Sequence, residues 1–190
     1  MSTFAINIGK MTTRAFLQSN GGTPHAQTGA IVDAWTNVRA FWCELITDGL
    51  QGSASEKTVQ QQQREVNSFD LRCRYAPDVK SDKRILIPRN TATLSGTITS
   101  GATTLTVSSS GLMADDRDTI LRCEDELMIV TAGQGTTGLT VTRGAFGTTA
   151  AAHTAAVNLI NMQVAEIDGV INVAGKNVEL VCSCKVRQNG

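Results

Sequence analysis

The sequence predicts a mainly β protein: a small antiparallel β-barrel or sandwich with one short helix or long loop, plus an inserted small β domain. Short runs of alternating apolar and polar residues recur along the chain, and a period of two is typical of half-buried strands. Turn-forming residues, above all Gly, separate these runs. The third observation is a change in composition between Asn90 and Asn158, where Thr, Gly, Ala and Ser predominate.

The change in composition predicts the domain organisation. Both Trp, the one Tyr and all three Pro lie outside the block. We therefore expect residues 1–89 and 159–190 to form one discontinuous domain and residues 90–158 to form a second domain inserted into it. Domains of this size bury modest cores and often gain stability from neighbours or oligomer contacts.

Alternation defines the strands of the first domain. A short strand is expected around Phe16 and Leu17, and residues 35–46 and 68–75 predict two further strands. Residues 84–87 predict a strand that Pro88 ends, because proline cannot donate to a sheet ladder. Residues 159–167 and 177–186 predict the last two strands, with Asp168 and Gly169 as a tight-turn signal between them.

Residues 48–67 are polar and allow two structures. Ser53 and Glu56 have the spacing of a capping box, which predicts a helix over 54–67. The four consecutive Gln residues and the scarcity of apolar positions instead predict a flexible loop that orders against a partner. The sequence leaves both open.

The inserted block predicts a small antiparallel sheet or barrel, because its apolar runs are short and closely spaced turn signals separate them. Residues 150–156, an Ala-rich run around His153, predict one helical turn or an irregular return. The expected strands are residues 94–98, 104–107, 119–122, 126–131 and 139–142.

The residue types argue against an enzyme. The two imidazoles, His25 and His153, lie in a Gly/Pro/Thr loop and an Ala run, and a structural hydrogen bond is the expected role of His153. The acidic runs 115–118 and 124–126 are expected to be solvated turns, although paired carboxylates can bind Mg²⁺. We expect no catalytic residues, no cofactor and no metal site.

The cysteines and the charge balance exclude other classes. Cys182 and Cys184 alone supply too few ligands for zinc, so buried core thiols are expected, and all five thiols are expected to be reduced because no signal peptide is recognised. Lys plus Arg equals Asp plus Glu at 17 each, which argues against broad electrostatic capture of nucleic acid. No apolar run approaches the roughly 20 residues of a membrane helix.

The flanks of the block resemble the head–tail joining proteins of tailed bacteriophages, the head-closure or stopper family. The features that carry the resemblance occur in the family's order. They are Gly9-Lys10, the run 34–45, the Ser-x-x-Glu start at Ser53, the run 69–75, Lys83-Arg84-Ile85 and a closing hairpin of 162–167 with 178–184.

The inserted block resembles a segment of phage virion proteins. In that segment a strand carrying Asp-Glu is followed by a Leu-Thr-Val strand and then Arg-Gly-x-x-Gly-Thr-Thr-Ala-Ala-x-His. This chain has Asp125-Glu126, then Leu139-Thr140-Val141, and then the run from Arg143 to His153. The usual joining protein passes from its Arg-Ile strand straight to the closing hairpin, so this chain departs from it by carrying the insert.

The resemblance implies a structural protein of the virion neck that is assembled in the host cytoplasm. Such proteins form a homo-oligomeric ring, commonly of twelve copies, between the portal or adaptor and the tail terminator or tube, and they help to retain packaged DNA in the channel. No membrane partner is expected. The alternatives are another ring protein of the neck or tail, such as an adaptor or tail terminator, and, less favoured, a small enzyme.

The resemblance also implies two sets of site residues. The segment 48–67 is the expected channel or gating loop, and Arg72, Arg74, Lys83 and Arg84 are expected to face DNA or the ring, where a repeated positive band would meet phosphates. In a monomer these basic residues would be an ordinary solvated face. The loop residues are Gly49, Gln51, Gly52, Lys57, Gln60, Gln61, Gln62 and Gln63.

Overall fold

The computed structural model describes residues 8–24, 26, 28–29, 32–46, 68–114, 119–173 and 178–186. The fold is mainly β, as predicted. Within the described residues, short 3-10 turns are the only helical elements, at Ile8–Lys10, Ser110–Met113 and Ala145–Gly147, and no helix there is long and apolar enough to span a membrane. The helix or loop predicted over 48–67 lies outside the described residues.

Ten strands form one antiparallel sheet in the order β10-β3-β2-β1-β4-β9-β6-β7-β8-β5, with a further pairing of β10 with β9. That pairing closes β10, β3, β2, β1, β4 and β9 into a barrel, as the sequence predicts. The strands are β1 (Thr13–Asn20), β2 (Trp35–Ile46), β3 (Ser68–Arg74), β4 (Lys83–Thr93), β5 (Thr104–Thr106), β6 (Ile120–Cys123), β7 (Glu126–Ala132), β8 (Gly138–Thr142), β9 (Asn158–Asn172) and β10 (Glu179–Val186).

The chain divides into two compact units. Unit 1 comprises Met1–Asn20, Val38–Leu86 and Val164–Arg187. Unit 2 comprises Gly21–Asn37, Ile87–Gln163 and Gln188–Gly190. The discontinuous domain of residues 1–89 and 159–190, with residues 90–158 inserted into it, stays a prediction.

The strands of unit 1 alternate where one face is solvated. In β3, Leu71 and Cys73 are buried whereas Asp70 and Arg74 are exposed, which confirms the predicted alternation. β1 differs, because Ala15, Phe16, Leu17 and Gln18 are all buried. A strand buried on both faces has no period of two, and this is why its sequence indicates only a short strand.

Unit 2 has its own apolar core. It confirms the predicted strands at 104–107, 119–122, 126–131 and 139–142 to within about two residues, the usual uncertainty of strand ends. The core residues include Leu94, Leu105, Leu112, Met113, Leu121, Cys123, Met128, Val130, Leu139, Val141 and Leu159.

Three predicted elements are wrong. Residues 94–98 form no strand, and only single bridges pair Leu94 with Val107 and Ile98 with His153. Pro88 does not end its strand, since β4 continues to Thr93. The pairing of β4 with β1 runs from Lys83 to Leu86, so Pro88 lies beyond that ladder, where its missing N–H breaks no β1 hydrogen bond.

Asp168 and Gly169, predicted to form a tight turn, instead lie inside β9. The register of β9 with β10 shifts there: Ser183 pairs with Gly169 but Cys184 pairs with Ile167. Asp168 is therefore the extra residue of a β-bulge, which bends a strand without ending it. The residue types that favour a tight turn are also found at bulges.

Candidate functional site

An apolar pocket of about 500 Å³ lies in unit 1, lined by Ile8, Met11 and residues 39–42 and 73–75. Two large apolar side chains of this lining are exposed, Ile8 to 56% and Trp42 to 58%. Val38 lies four positions before Trp42 on the same outward face of β2 and is also exposed. Large exposed apolar side chains that line one pocket, as Ile8 and Trp42 do, commonly mark an interaction surface.

An ion pair holds one side of this pocket. Arg39 donates from Nε and Nη2 to the two carboxylate oxygens of Asp78, at 2.7 and 3.1 Å, and its guanidinium carbon lies 5.6 Å from the centre of the Phe41 ring. Bidentate pairing fixes the plane of a guanidinium. The pocket therefore has one preformed charged side, while Trp42 remains uncovered.

The four basic residues predicted to face DNA or the ring lie in different surroundings. Arg72 and Arg74 share the outward face of β3, but Arg72 pairs with Glu44 at 3.4 Å and with Glu179. Lys83 pairs with Asp82 at 3.0 Å. Arg84 is buried and donates from Nε to Gln18 Oε1 at 2.8 Å.

Arg74 is the most available of these cations. It is exposed, and no ion pair of Arg74 occurs within the described part of the chain. It also lines the apolar pocket. The predicted channel-loop residues, from Gly49 to Gln63, lie outside the described residues.

Four buried cysteines lie in unit 1, which confirms the prediction of core thiols. Cys43 on β2 is the register partner of Cys73 on β3, and Cys182 and Cys184 are buried on β10. Burial, together with the nearby thiols, raises the pKa of Cys43 to about 12. Thiols held in the protonated form are poor nucleophiles, so Cys43 packs as a small apolar group.

Unit 2 holds a polar cluster that we call the Glu126 cluster: the buried side chains of Glu126, Arg143 and His153, and the exposed side chain of Glu124. Arg143 Nε and Nη2 donate to the two carboxylate oxygens of Glu126 at 2.7 and 2.8 Å. The backbone amides of Gly144 and Ala151 donate to the same carboxylate at 3.0 and 3.1 Å. His153 bridges two carboxylates. Its Nε2 lies 2.8 Å from Glu126 Oε2, and its Nδ1 lies 2.8 Å from Glu124 Oε2.

These contacts set the charge state of Glu126. Burial by itself would raise the pKa of this carboxyl, but hydrogen bonds from Arg143, His153 and the two amides together lower its pKa to about 2. Arg143 also donates from Nη1 to the carbonyl oxygens of Thr99 and Ala102 at 2.8 and 3.1 Å. The cluster therefore joins β7 to two loops of unit 2, which is a structural task.

The cluster explains the Arg-Gly-x-x-Gly-Thr-Thr-Ala-Ala-x-His run. Gly144 has φ 60°, and a Cβ there would lie 3.0 Å from the Thr148 carbonyl oxygen. Thr148 Oγ1 accepts from the Leu127 amide at 3.1 Å. The expected hydrogen-bonding role of His153 is confirmed, whereas the prediction of a solvated turn is wrong for Glu126, which is the first residue of β7.

Sequence reasoning missed the partnership of Glu126 and Arg143. A signal was present, because both lie in the run that resembles phage virion proteins, and a charged residue at an inward strand position is rarely buried unless it is paired. Composition alone could not show which acid the arginine would meet.

Comparison with known proteins bears on identity. Residues 6–124 match the phage head completion protein family, and no curated protein matches the sequence. Among solved structures, the chain matches the solution structure of protein SF1141 from Shigella flexneri 2a at 12% identity, with a TM-score of 0.40, covering 97% of this chain and 100% of that one. The family match spans more than half of the chain, so the protein belongs to the phage head completion protein family, a family of structural proteins of the virion's head–tail junction.

Proposed function

We propose that this chain is the ring-forming head-closure, or stopper, subunit of the neck, which joins the DNA-filled head to the tail and helps to retain the DNA. Its partners would be further copies of itself, commonly twelve, the portal or adaptor on one side, and the tail terminator or tube on the other. Family membership supports a structural role at the head–tail junction, and the apolar surface of unit 1 supports the more specific role of a ring-forming stopper.

The observation that carries the proposal of a ring is the exposure of Val38 and Trp42 on one face of β2, at the pocket of unit 1. Fully burying such side chains against a partner contributes about 1.5–3 kcal/mol each, and Trp is enriched among the residues that dominate interface energies. The ion pair of Arg39 with Asp78 adds a fixed polar rim, as at the edges of protein interfaces. Zero net charge also leaves little self-repulsion between copies.

Replacing Trp42 tests ring formation. The purified wild-type chain should form a closed ring in native mass spectrometry and negative-stain images, and Trp42→Glu should shift it towards monomer by at least tenfold in association constant, because a charge would be buried at the contact. Ile171→Glu is the matched control, since Ile171 is 62% exposed and does not line the pocket. Equal loss in both variants, or an unaffected ring in Trp42→Glu, would count against this surface.

In this proposal the segment 48–67, together with Arg74, Arg72 and Lys83, retains the packaged DNA in the channel. We leave Arg84 out because its guanidinium is buried against Gln18. Replacing residues 51–63 by a Gly/Ser linker of equal length should leave ring assembly intact while filled heads lose DNA faster than wild-type heads do. DNA release at the wild-type rate would remove the gate from the proposal without affecting the ring.

A further inference from the structure

Three side chains with metal-ligating atoms converge at the turn between β6 and β7 in unit 2. Cys123 ends β6, Glu124 follows it in the turn with φ 52°, and His153 reaches the turn from the segment that bridges to Ile98. The Cys123 thiol, a Glu124 carboxylate oxygen and a ring nitrogen of His153 all lie within 4.8 Å of one another. Thiolate, imidazole and carboxylate are the three ligand types that zinc takes in proteins.

We propose that Cys123, Glu124 and His153 form a binding site for one divalent zinc ion. The ligand atom of His153 is Nδ1, which already lies 2.8 Å from Glu124. Its other nitrogen, Nε2, lies 2.8 Å from Glu126, and a carboxylate on the far side of a ligating imidazole is the usual outer partner of zinc-bound histidine. Arg143 in turn fixes that carboxylate.

The charges around the thiol favour a cation. The carboxylates of Glu124 and Glu126 lie close enough to the Cys123 thiol to act on it electrostatically, and the cations Arg143 and Arg122 partly offset them. A dication bound here would pair with these carboxylates and with the thiolate directly. On binding, Zn²⁺ replaces the thiol proton and any proton on Nδ1, and these protons pass to solvent, so no oxidant or other reactant is required.

One of the three ligands is exposed, and this gives the ion a route into the site from solvent. Cys123 is fully buried and the His153 side chain is 2% exposed, whereas the Glu124 side chain is 60% exposed. The ion would therefore enter from the Glu124 side and keep a water or solvent-derived ligand there, as three-ligand zinc sites do. Bound zinc would join the β6–β7 turn to the segment that carries His153, and so stabilise unit 2 without any requirement for the ring.

Zinc titration of the full, tag-free chain after chelator treatment tests the site. We expect one Zn²⁺ per chain in competition with a chromogenic chelator, a rise in the melting temperature, and thiolate charge-transfer absorption when Co²⁺ is used instead. Glu124→Gln, an exposed substitution that should leave the fold intact, should weaken binding at least tenfold. Cys123→Ser should abolish the Co²⁺ charge-transfer band.

Two controls separate this site from other thiols and acids. Asp125→Asn changes the neighbouring acid of the same turn, and Cys182→Ser changes a buried thiol of unit 1; both should bind zinc as the wild type does. The proposal is overturned if no zinc binds, if binding survives Glu124→Gln unchanged, or if Cys182→Ser abolishes it. In those outcomes His153 is only a hydrogen-bonded bridge between two carboxylates. The proposed neck function is unaffected by them, because Trp42→Glu and the replacement of residues 51–63 test it separately.

Discussion

At the scale of single residues, Glu126 connects much of the polar structure of unit 2. Two nitrogens of Arg143, the amides of Gly144 and Ala151 and one ring nitrogen of His153 surround its carboxylate. A buried carboxylate is costly unless it is paired and hydrogen-bonded, and here these five donors replace its water. Removing one partner would leave a buried charge uncompensated.

Acid should therefore weaken unit 2 through Glu126. Its pKa is about 2 in the folded protein against an ordinary value of 4.5, so the unfolded chain binds this proton more readily. The stabilising contribution is fully present above pH 4.5 and is lost as the pH falls towards 2. Since one pKa unit corresponds to 1.36 kcal/mol, the contribution is about 3 kcal/mol.

Urea unfolding of the wild type and Glu126→Gln checks this contribution. At pH 7 the variant should be less stable by about 3–5 kcal/mol, the usual cost of breaking a buried ion pair. The difference in unfolding free energy between the two proteins should narrow as the pH is lowered from 5 to 3, because only the wild type loses the stabilising contribution of the Glu126 carboxylate. A gap that stays constant with pH would contradict the assignment.

At the scale of elements, the β7–β8 connection depends on one glycine. Gly133 has φ 93°, and a Cβ there would lie 2.0 Å from the carbonyl oxygen of Gly138. Thr136 Oγ1 completes the turn by donating to the carbonyl oxygens of Gly133 and Gly138 at 2.7 and 3.0 Å. The register of β7 with β8 shifts between Val130 and Ala132, just before this turn.

Gly133→Ala should destabilise unit 2 by about 2 kcal/mol or more, because the new methyl group meets backbone and the φ angle is unfavourable for L residues. Gly101→Ala is the matched control, since a Cβ there meets nothing within 4 Å. Thermal unfolding of both variants gives the comparison. Equal melting temperatures would show that the turn relaxes without cost.

The wrong predictions also belong to the scale of elements. Pro88 and Asp168 are local signals for ending a strand, yet β4 and β9 continue through them. Both strands are long enough to contribute one part to unit 1 and another to unit 2. Local propensity is weaker than the hydrogen bonds and packing that neighbouring strands supply, and those neighbours are distant in sequence.

At the scale of the whole molecule, the two units have separate buried cores. Cys123 belongs to the core of unit 2, whereas Cys43, Cys73, Cys182 and Cys184 are buried in unit 1. Burial raises the pKa of Cys43, Cys123 and Cys184 to about 12. Because all five thiols are buried, each should react only when its own unit opens.

Thiol labelling in increasing urea tests whether the proposed domains unfold independently. Pulsed alkylation followed by peptide mass analysis should show no labelling of the five cysteines in the native protein. Glu126→Gln should lower the urea concentration at which Cys123 is labelled by at least 1 M, given typical urea dependences of 1–3 kcal/mol per M. The four cysteines of unit 1 should be labelled as in the wild type.

Labelling of all five cysteines at one urea concentration, shifted together by Glu126→Gln, would contradict two independent domains. Cys43→Ser provides the reciprocal control. It should shift labelling of the remaining cysteines of unit 1 and leave Cys123 unchanged.

The sequence by itself determined the fold class, most strands and the family resemblance, because alternation and turn residues are local properties of the chain. It also marked the Arg143–His153 run as unusual. Only the tertiary structure decided that Glu126 is buried against Arg143, that Arg84 turns inward to Gln18, and that Cys123, Glu124 and His153 meet. Each of these facts depends on strand register between segments far apart in the chain, and register is set by the packing of whole faces, which no local pattern contains.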